Sequence, residues 1–525
     1  MGIESGIVTS PPSGLPSRDP TKSYWLRDPN PTLLGHRGTP DLPAEADVVV
    51  VGSGITGAFA ARFLVEGSWS ENLSVVMLEA REVCWGATGR NGGHCQPLVY
   101  AATPTVAAFE LEVYDFMERL VRDEAINCDW VSLTGVHAFL SKDIFDSAAA
   151  AAEQLAQSHP ELAANLQVIR RDDPSSTEEK QQRTLASLRI PTAHGAIIQQ
   201  KAASLWPYKL VASILERLVA AHPPPRFNLQ TNTPATSLAR ADDGSGRWTL
   251  TTPRGTITAR QVLLATNGYT SHLLPAFADL IVPMRGQVAS LLPPLGPSPP
   301  QGGETAPVLK HSYVFAADPE PAPESAAAAP RDDYLIQRPL PTGELIYGGG
   351  RRLARALGVG EWRDDIVEED VARYLRRNLC PPLDLSTPPT DGGNDGHQPE
   401  EENLELDATH EWTGIMGYSR DRHAWVGAVP EALGGGDGLF ICAGYTGHGM
   451  PAAALSAKAV VGQMRRAWRS WKGGEEEERD AETDQEMPEI PAEFILSEER
   501  VVRARGMPHV TGGWEATVFA ELVGA

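Results

Sequence analysis

The 525-residue sequence contains little cysteine, and its cysteines follow no recognised pattern. The five are Cys84, Cys95, Cys128, Cys380 and Cys442. Their number is odd, no two of them form a C-x-x-C pair, and none has the Cys/His spacing of a zinc site. This usage argues against a disulfide scaffold and against a bound metal. A reducing, cytoplasmic setting fits it best.

The chain also lacks long apolar runs and an excess of positive charge. No apolar stretch approaches the length that spans a bilayer, and the first residues carry no basic region followed by an apolar core. The last residues do not form a peroxisomal S-K-L signal. The 45 Lys and Arg face 68 Asp and Glu, a formal net charge of −23. We therefore expect neither a nucleic acid nor a membrane as partner.

The length predicts two to four domains, and segments of low complexity interrupt the chain. Residues 1–45 are rich in Pro, Gly and Ser, which predicts an irregular arm anchored by Trp25, Leu26, Leu33 and Leu34. We expect surface insertions or loops at 293–306, 318–332 and 386–404, and an acidic loop with a C-terminal extension at 471–525. Apolar periodicity predicts helices over 105–127, 145–157, 208–221 and 452–468, and alternation predicts a hairpin of strands 248–252 and 256–259.

One short segment carries a specific signal. The apolar run 47–51 leads into Gly52, Gly54 and Gly57, which have G-x-G-x-x-G spacing, and a helical pattern follows. The first glycine allows a sharp turn, the second removes a Cβ that would block a phosphate, and the third lets the helix pack closely on the strand. The helix start offers free N–H groups and a positive dipole end to an anion. The segment predicts a nucleotide pyrophosphate site, the alternative being a plain glycine-rich turn.

A carboxylate follows at the position that such a site requires. Residues 73–79 have the pattern of a second strand that ends in Glu79, about 20 residues after Gly57. This is the spacing of the acid that accepts a hydrogen bond from a ribose hydroxyl. We predict that role for Glu79 rather than that of a solvated residue at a strand end. Arg81 lies nearby, but no basic residue replaces the acid, so a 2′-phosphate is not favoured.

The loop after Glu79 distinguishes between two dinucleotide cofactors. In a simple NAD domain this strand passes into an ordinary connection, whereas here it meets residues 84–94, which contain five small residues and Asn91. Such a loop exposes backbone N–H groups to a second part of a longer cofactor, and Arg90 is placed to pair with a pyrophosphate. The loop favours FAD, and a flexible turn in an NAD-linked protein remains the alternative.

Several segments together carry a resemblance to a known family. Residues 261–268 repeat the pattern of a buried strand that enters a small-residue turn, and residues 438–450 do so again. With the glycine motif and the loop at 86–93, they resemble the FAD-dependent D-amino-acid oxidase (DAO) superfamily, nearest to its γ-glutamylputrescine oxidoreductase-like and glycine/sarcosine-oxidase-like branch. The resemblance spans roughly residues 46–470.

The resemblance implies an α/β fold in which two domains are interleaved. Residues 46–104, 195–280 and 410–470 would form a Rossmann-type FAD-binding domain, and residues 105–194 and 281–409 an antiparallel-sheet substrate domain. Gly447 to Met450 would direct a helix N-terminus at the flavin edge that becomes negative on reduction. The implied cofactor residues are Gly52, Ser53, Gly54, Ile55, Thr56, Gly57, Glu79, Ala80, Arg81, Gly86, Ala87, Thr88, Arg90, Asn91, Gly92, Gly93, Ala235, Ala265, Thr266, Asn267, Gly268, Gly444, Tyr445, Gly447, His448, Gly449 and Met450.

The candidates for a catalytic role are His448, His94, Tyr445 and Arg285. A histidine can move a proton near neutral pH, but a lone histidine is more often structural. Tyr445 has core packing as its alternative. Arg285 either covers the flavin or binds an acidic group of the substrate, with surface solvation as its alternative.

The chain departs from the family pattern at two places in the segment 412–423. Met416 lies near the position where amino-acid oxidases of the superfamily often carry an Arg for the substrate carboxylate, which argues against a simple α-amino acid as substrate. No cysteine occurs between Cys380 and Cys442, where monomeric sarcosine oxidases attach their flavin. We therefore expect non-covalent FAD.

These observations predict an FAD-dependent oxidoreductase. It would oxidise a C–N bond of a small amine or a modified amino acid to an imine by hydride transfer to flavin, with O2 as the expected electron acceptor. The alternatives are an NAD-linked dehydrogenase and a flavin-binding protein without turnover.

Overall fold

The structure is a computed structural model. It describes residues 11–67, 73–171, 184–294, 307–318, 330–386, 405–471 and 488–510. The predicted insertions at 293–306 and 318–332, the loop at 386–404 and the acidic run that starts at residue 475 lie wholly or largely outside these ranges.

Two β-sheets form the framework of the protein. The strands are β1 (Glu45–Val51), β2 (Val75–Leu78), β3 (His94–Cys95), β4 (Val131–Phe139), β5 (Leu166–Arg170), β6 (Gly195–Ser204), β7 (Phe227–Gln230), β8 (Ser237–Arg240), β9 (Trp248–Thr252), β10 (Gly255–Leu264), β11 (Ile281–Leu291), β12 (His311–Ala317), β13 (Arg331–Gln337), β14 (Leu345–Gly348), β15 (Ala408–Ser419), β16 (Trp425–Ala428) and β17 (Leu439–Ala443).

The first sheet has the parallel core that the apolar runs predict. Its order is β16-β17-β10-β1-β2-β7, with β8 and β9 attached beside β10. The strands β17, β10, β1, β2 and β7 pair in parallel, and residues 48–50 of β1 are fully buried. A parallel sheet of this kind is covered on both faces. The predicted Rossmann-type sheet is confirmed.

Helices cover the sheets and fill the spaces between them. They are α1 (Ile55–Glu66), α2 (Pro104–Asp123), α3 (Lys142–Ser158), α4 (Pro160–Ala163), α5 (Pro207–Ala221), α6 (Thr270–Leu273), α7 (Glu369–Arg377), α8 (Ala453–Trp471) and α9 (Glu498–Gly506). Apolar side chains of α1, α2, α5 and α8 share one buried cluster with strands of the first sheet. Among the described residues, no helix has the length and apolarity needed to cross a bilayer.

The second sheet is mainly antiparallel, as predicted for the substrate side. Its order is β15-β11-β14-β13-β12-β4-β6-β3, with β5 beside β6, and only its β4–β12 pair is parallel. Strand β15 runs directly from this sheet towards β16 of the first. The two sheets are therefore joined closely in sequence at the point where the functional site lies.

Three local predictions are corrected by the structure. The predicted strands 256–259 and 261–264 are one continuous strand, β10, because Arg260 does not interrupt the extended backbone. Residues 331 and 332, predicted as part of an insertion, begin β13. In the arm, Trp25 and Leu33 are buried, but Leu34 is 44% exposed and is not an anchor.

The division into interleaved domains stays a prediction, although the sheets shift two of its boundaries. Strand β6 and most of β15 fall in segments that we predicted for the FAD-binding domain, yet both strands pair in the second sheet. Their long antiparallel pairings with β4 and β11 decide this membership, and such pairings leave no sign in the local sequence.

Candidate functional site

A large cavity lies between the two sheets. Its volume is about 540 Å³. One part of its wall consists of the loops that follow β1, β2, β10 and β17 of the first sheet, and the other part consists of residues on β4, β11, β12, β13 and β15 of the second. This is the crevice at the carboxyl ends of parallel strands where α/β sheets bind ligands.

The glycine loop is packed as the motif requires. Gly52 has φ +105°, and an added Cβ would lie 2.6 Å from the carbonyl oxygen of Ala265. An added Cβ on Gly57 would lie 1.9 Å from the carbonyl oxygen of Gly52. Helix α1 can therefore begin this close to β1 only with a glycine at position 57. The N-cap of α1 is Gly54, which has no side chain to cap the first N–H groups of the helix.

Glu79 is buried beside this loop. Its Oε2 accepts from the backbone N–H of Ser53 at 3.0 Å and from the Ser53 hydroxyl at 2.6 Å, while Oε1 accepts from the N–H of Arg81 at 2.9 Å. These bonds fix the carboxylate at the cavity wall, 8% exposed. Each carboxylate oxygen can accept more than one hydrogen bond, so Glu79 retains capacity for a ribose hydroxyl.

Arg90 is held chiefly by protein groups. Its guanidinium donates to the carbonyl oxygens of Trp85, Thr413 and Thr21 at 3.0, 2.7 and 2.6 Å, and to the Thr21 hydroxyl at 3.0 Å. Burial lowers the pKa of Arg90 to about 10, against the opposing charge of Asp364. Four of its five N–H donors are thus engaged. The predicted pairing with a pyrophosphate has at most one donor left.

The remaining cofactor predictions fall mostly on the cavity wall. Thr88 accepts from the N–H of Ile55 at 3.1 Å, which joins the loop 86–93 to the start of α1. The predicted residues that line the cavity are Gly52, Ser53, Gly54, Ile55, Thr56, Glu79, Ala80, Arg81, Gly86, Ala87, Thr88, Arg90, Asn91, Gly92, Ala235, Ala265, Thr266, Asn267, Tyr445, Gly447, His448, Gly449 and Met450.

Four predicted glycines lie behind the wall instead. An added Cβ on Gly93 would meet Trp25, one on Gly268 would meet the carbonyl of Met416, and one on Gly444 would come within 3.2 Å of Ile281. Gly57 is the fourth. These four glycines permit close packing, and they are not among the described residues that line the cavity.

One predicted catalytic residue, Arg285, is placed differently from the prediction, whereas Tyr445 lines the cavity with its hydroxyl engaged by neighbouring side chains. Arg285 is not among the described residues that line the cavity. It is buried against Glu368, with a carboxylate oxygen of Glu361 3.6 Å away. These carboxylates hold its guanidinium, while the next residue, Gly286, lines the cavity. The Tyr445 hydroxyl lies 2.9 Å from the Thr56 hydroxyl and 3.1 Å from the Cys442 sulfur, so it supports the start of α1.

His448 lines the cavity and has an acidic partner. Its Nδ1 lies 3.6 Å from Oε1 of Glu110, a buried residue of α2 whose Oε2 accepts from the N–H of Leu98 at 2.7 Å. Burial lowers the pKa of His448, but the hydrogen bond and charge of Glu110 outweigh it, and the net pKa is raised. Glu110 therefore favours the protonated form of His448.

His94, the other predicted histidine, is held neutral. Burial lowers its pKa to about 4, although the backbone groups of Gly92 and Leu335 partly oppose the shift. Its Nε2 is buried without a hydrogen-bond partner, and its ring packs edge-on against Tyr334. A neutral ring with an unsatisfied nitrogen at the cavity wall fits a ligand contact better than proton transfer.

A third histidine, His137 of β4, was absent from our predictions. The Gln199 Oε1 accepts from the N–H of Val99 at 2.9 Å, so its amide NH2 faces the His137 Nε2 at 3.2 Å. The His137 Nδ1 must then carry the proton, 2.7 Å from the Tyr100 oxygen. Burial lowers the pKa of His137 to about 3, so the ring stays neutral and orients Tyr100 at the cavity wall.

An arginine reaches the substrate-side wall from an unpredicted position. Arg351 follows β14, and its Nη1 donates to the Tyr418 hydroxyl at 2.9 Å and to the sulfur of Met284 at the same distance. Its Nη2 pairs with Asp332 of β13. Arg351, Tyr418 and Met416 all line the cavity. The guanidinium of Arg351 therefore lies close to Met416. From Met416 we had inferred that an arginine for a substrate carboxylate is missing.

The position of Arg351 is fixed by a buried carboxylate. Asp333 is 1% exposed, and its Oδ1 accepts from the N–H of Gly350 at 2.8 Å. Its Oδ2 accepts from the hydroxyls of Tyr347 and Tyr374 at 2.8 and 2.6 Å. The loop that carries Arg351 is thus tied to β13. Three glycines directly before an arginine, residues 348–351, were the one sign of this feature in the sequence.

The residues present fit an FAD group. An added Cβ on Gly86 would meet nothing within 4 Å, so its backbone faces open space, and one on Gly54 would meet only the Thr88 hydroxyl, at 3.2 Å. The start of α1 lies beside them, and Glu79 and Ala235 line the same cavity as His448. One continuous cavity thus offers a ribose acid, an anion site and space beyond it. Within the described residues, no group of three or more His, Cys, Asp or Glu is placed to hold a metal.

Comparisons with known proteins agree with this site. The model of the DAO family, described as FAD dependent oxidoreductase, matches residues 47–463. A curated relative, the probable oxidoreductase OrdL of Rhizobium meliloti, is 24% identical over 428 residues, which cover 79% of this chain and 82% of that protein.

Two solved structures share the fold. Glycine oxidase from Geobacillus kaustophilus has a TM-score of 0.57 at 16% identity, covering 81% of this chain and 95% of that one. L-amino acid deaminase from Proteus vulgaris, solved without its specific insertion sequence, has a TM-score of 0.55 at 17% identity, covering 82% and 93%. With the family match over most of its length, the chain belongs to the DAO family of FAD-dependent oxidoreductases.

Proposed function

We propose that this enzyme oxidises a C–N bond of an amine that carries an acidic group. The carbon next to nitrogen loses a hydride and the nitrogen a proton, and the resulting imine is hydrolysed by water to a carbonyl compound and an amine or ammonia. When bound, FAD supplies the hydride acceptor. The observation that carries the proposal is the Arg351–Tyr418 pair at the wall of the cavity that also holds the glycine loop.

Arg351 is suited to a substrate carboxylate. One of its N–H groups points at the Met284 sulfur, which is a weak acceptor. A carboxylate oxygen is a much better acceptor for this donor, and charge-assisted hydrogen bonds of this kind are strong. Asp332 keeps the guanidinium in place meanwhile. The names of the glycine oxidase and the L-amino acid deaminase support an amino-acid-like substrate.

His448 is the best-placed group for the proton of the substrate. Its Nδ1 faces Glu110, so its Nε2 is the nitrogen available to the cavity. A neutral amine is required because a protonated nitrogen has no lone pair to stabilise the developing imine. His448 would accept that proton, and Glu110 would stabilise the imidazolium.

The experiment is a visible spectrum of the purified protein, followed by anaerobic addition of a panel of amines. We expect a yellow protein whose flavin absorbance bleaches with amines that carry a carboxylate, and peroxide when air is admitted. A colourless protein that binds NAD would support the NAD-linked alternative. A yellow protein that no amine bleaches would support a flavin-binding protein without turnover.

The non-covalent attachment is tested on the same preparation. The cavity wall contains no cysteine in the part of the chain that is described, and the five cysteines are buried or half-buried elsewhere. We expect acid precipitation to release the flavin into the supernatant. Flavin that stays on the precipitated chain would contradict this part of the proposal.

A further inference from the structure

We propose that residues 13–21 of the N-terminal arm form the outer wall of the cofactor site and slow the release of FAD. This inference rests on the family's cofactor and is independent of the proposed substrate. The family match begins at residue 47, so the arm precedes the part of the chain that the family shares. Nevertheless, Leu15 and Pro16 line the cavity together with Glu79, Arg81 and the glycine loop.

The arm is tied to the cofactor side of the cavity at Thr21. The Thr21 N–H and hydroxyl both donate to the carbonyl oxygen of Asp364, at 2.8 and 2.9 Å. The hydroxyl accepts from Arg90 at 3.0 Å and from the N–H of Thr413 at 3.0 Å. One side chain therefore joins the arm to the loop 86–93, to β15 and to the segment around residue 364.

A second tie lies beside the acid predicted to bind the ribose. Arg81 donates through Nη1 to the carbonyl oxygen of Ser17 at 3.2 Å and to both carboxylate oxygens of Asp364, at 3.0 and 2.9 Å. The backbone N–H of the same arginine donates to Glu79 at 2.9 Å. The Arg81 Nε is buried without a partner at this wall. The arm thus covers the end of the cavity where the adenosine of FAD is expected.

The start of the described arm is packed tightly. The N–H of Ser13 donates to the Ser271 hydroxyl at 2.9 Å, and Ser13 and Ser271 are both buried. An added Cβ on Gly14 would lie 2.3 Å from Nε1 of Trp362. A side chain at position 14 must therefore push the arm or the indole away, and Leu15 would move with it.

This geometry predicts a specific kinetic effect. An occupant of the cavity touches Leu15 and Pro16 on one side, and the arm must shift before the adenosine end can leave. Displacement of the arm should therefore raise the dissociation rate constant of FAD. The association rate constant should change less. The apolar contact of Leu15 should contribute to affinity as well.

The test compares Gly14→Val and Leu15→Ala with Pro12→Ala, an exposed position in the same arm, in the full-length holoenzyme. FAD release is followed by the rise in flavin fluorescence after dilution, and Kd is obtained from FAD titration. We expect release about 10-fold faster and Kd about 10-fold higher for Gly14→Val, a smaller change for Leu15→Ala, and wild-type values for Pro12→Ala.

A thermal melt separates a cofactor effect from a folding defect. Because ligand binding raises Tm by mass action, excess FAD should restore the Tm of both variants to that of the wild type. A Tm that excess FAD does not restore would mean that the arm serves folding alone and would overturn the proposal. Release rates and Kd within twofold of the wild type in both variants would overturn it too. A failure of all amines to bleach the flavin would leave this test unaffected.

Discussion

The two ends of the cavity are built in different ways. At the cofactor end, short contiguous segments present backbone, and Gly52 and Gly57 have no room for a side chain, as the 1.9 Å approach at Gly57 shows. At the substrate end, side chains from distant strands meet, including His137, Asp332, Arg351 and Tyr418. The cofactor end depends on glycines, which carry no side chain, and the substrate end depends on where charged side chains are placed. Substitutions should therefore have different consequences at the two ends.

The largest effect should come from filling the cofactor end. In Gly57→Val the new Cβ meets the Gly52 carbonyl, so α1 must move away from β1, and overpacking against backbone is costly. We expect FAD affinity to fall about 100-fold, measured as the ratio of flavin to protein after gel filtration. Gly506→Val, where nothing lies within 4 Å of the new Cβ, is the control. Full FAD content in Gly57→Val would contradict the comparison.

At the substrate end, removal of charge should leave FAD bound. Arg351→Gln loses a charge-assisted hydrogen bond and leaves Asp332 without its partner. We expect kcat/KM for a carboxylate-bearing amine to fall about 10- to 100-fold, mainly through KM, at unchanged flavin content. Arg355→Gln, an exposed arginine nearby, is the matched control. Equal losses in the two variants would mean that Arg351 has no specific contact with the substrate.

A smaller effect is expected from Glu110→Gln. Without the carboxylate, burial alone acts on His448 and lowers its pKa. Since the neutral imidazole is the active form, the acidic limb of the kcat/KM profile should move to lower pH, and activity below the wild-type limb should rise several-fold. Glu112→Gln, exposed on the same helix, should leave the profile unchanged. A limb that does not move would exclude His448 as the titrating group.

The smallest effect concerns stability. His137 has a pKa of about 3 in the folded protein and about 6.5 when unfolded, so below pH 6.5 the unfolded chain binds a proton that the folded one does not. This group therefore costs about 1.4 kcal/mol of stability per pH unit as pH falls from about 6.5 towards 3. In His137→Asn the slope of unfolding free energy against pH should be smaller by one proton, with His222→Asn as control. Identical slopes would show that His137 is protonated in the fold.

The same contrast decides what could be predicted from the sequence. The cofactor end follows from local spacing, because Gly52, Gly54 and Gly57 and the acid Glu79 are close together in the chain. Most of the predicted cofactor residues do line the cavity. The exceptions, such as Gly93 and Gly268, belong to the same small-residue turns but pack against other segments. Which glycines do so depends on segments that are distant in sequence.

The substrate end could not be predicted because it depends on the pairing of distant strands. Arg285 and Gly286 are neighbours in sequence, yet only Gly286 of the two lines the cavity, because Glu361 and Glu368 from a distant segment hold the Arg285 guanidinium. Met416 occupies a position on β15 where an arginine was expected. Arg351 instead reaches the cavity from the end of a different strand, β14. Leu15 and Pro16 belong to an arm that looked irregular, and nothing local marks them as part of the wall.

The central claim, that one cavity joins an FAD site to a site for an acidic amine, is tested most directly by a matched pair of substrates. The first amine in the panel that bleaches the flavin would be compared with its methyl ester, which keeps the reacting nitrogen and removes the negative charge. Anaerobic stopped-flow absorbance would give the rate of flavin bleaching for each. We predict that the ester reacts at least about 10-fold more slowly at equal concentration, and that Arg351→Gln abolishes this difference. Equal rates for acid and ester in the wild-type enzyme would contradict the account.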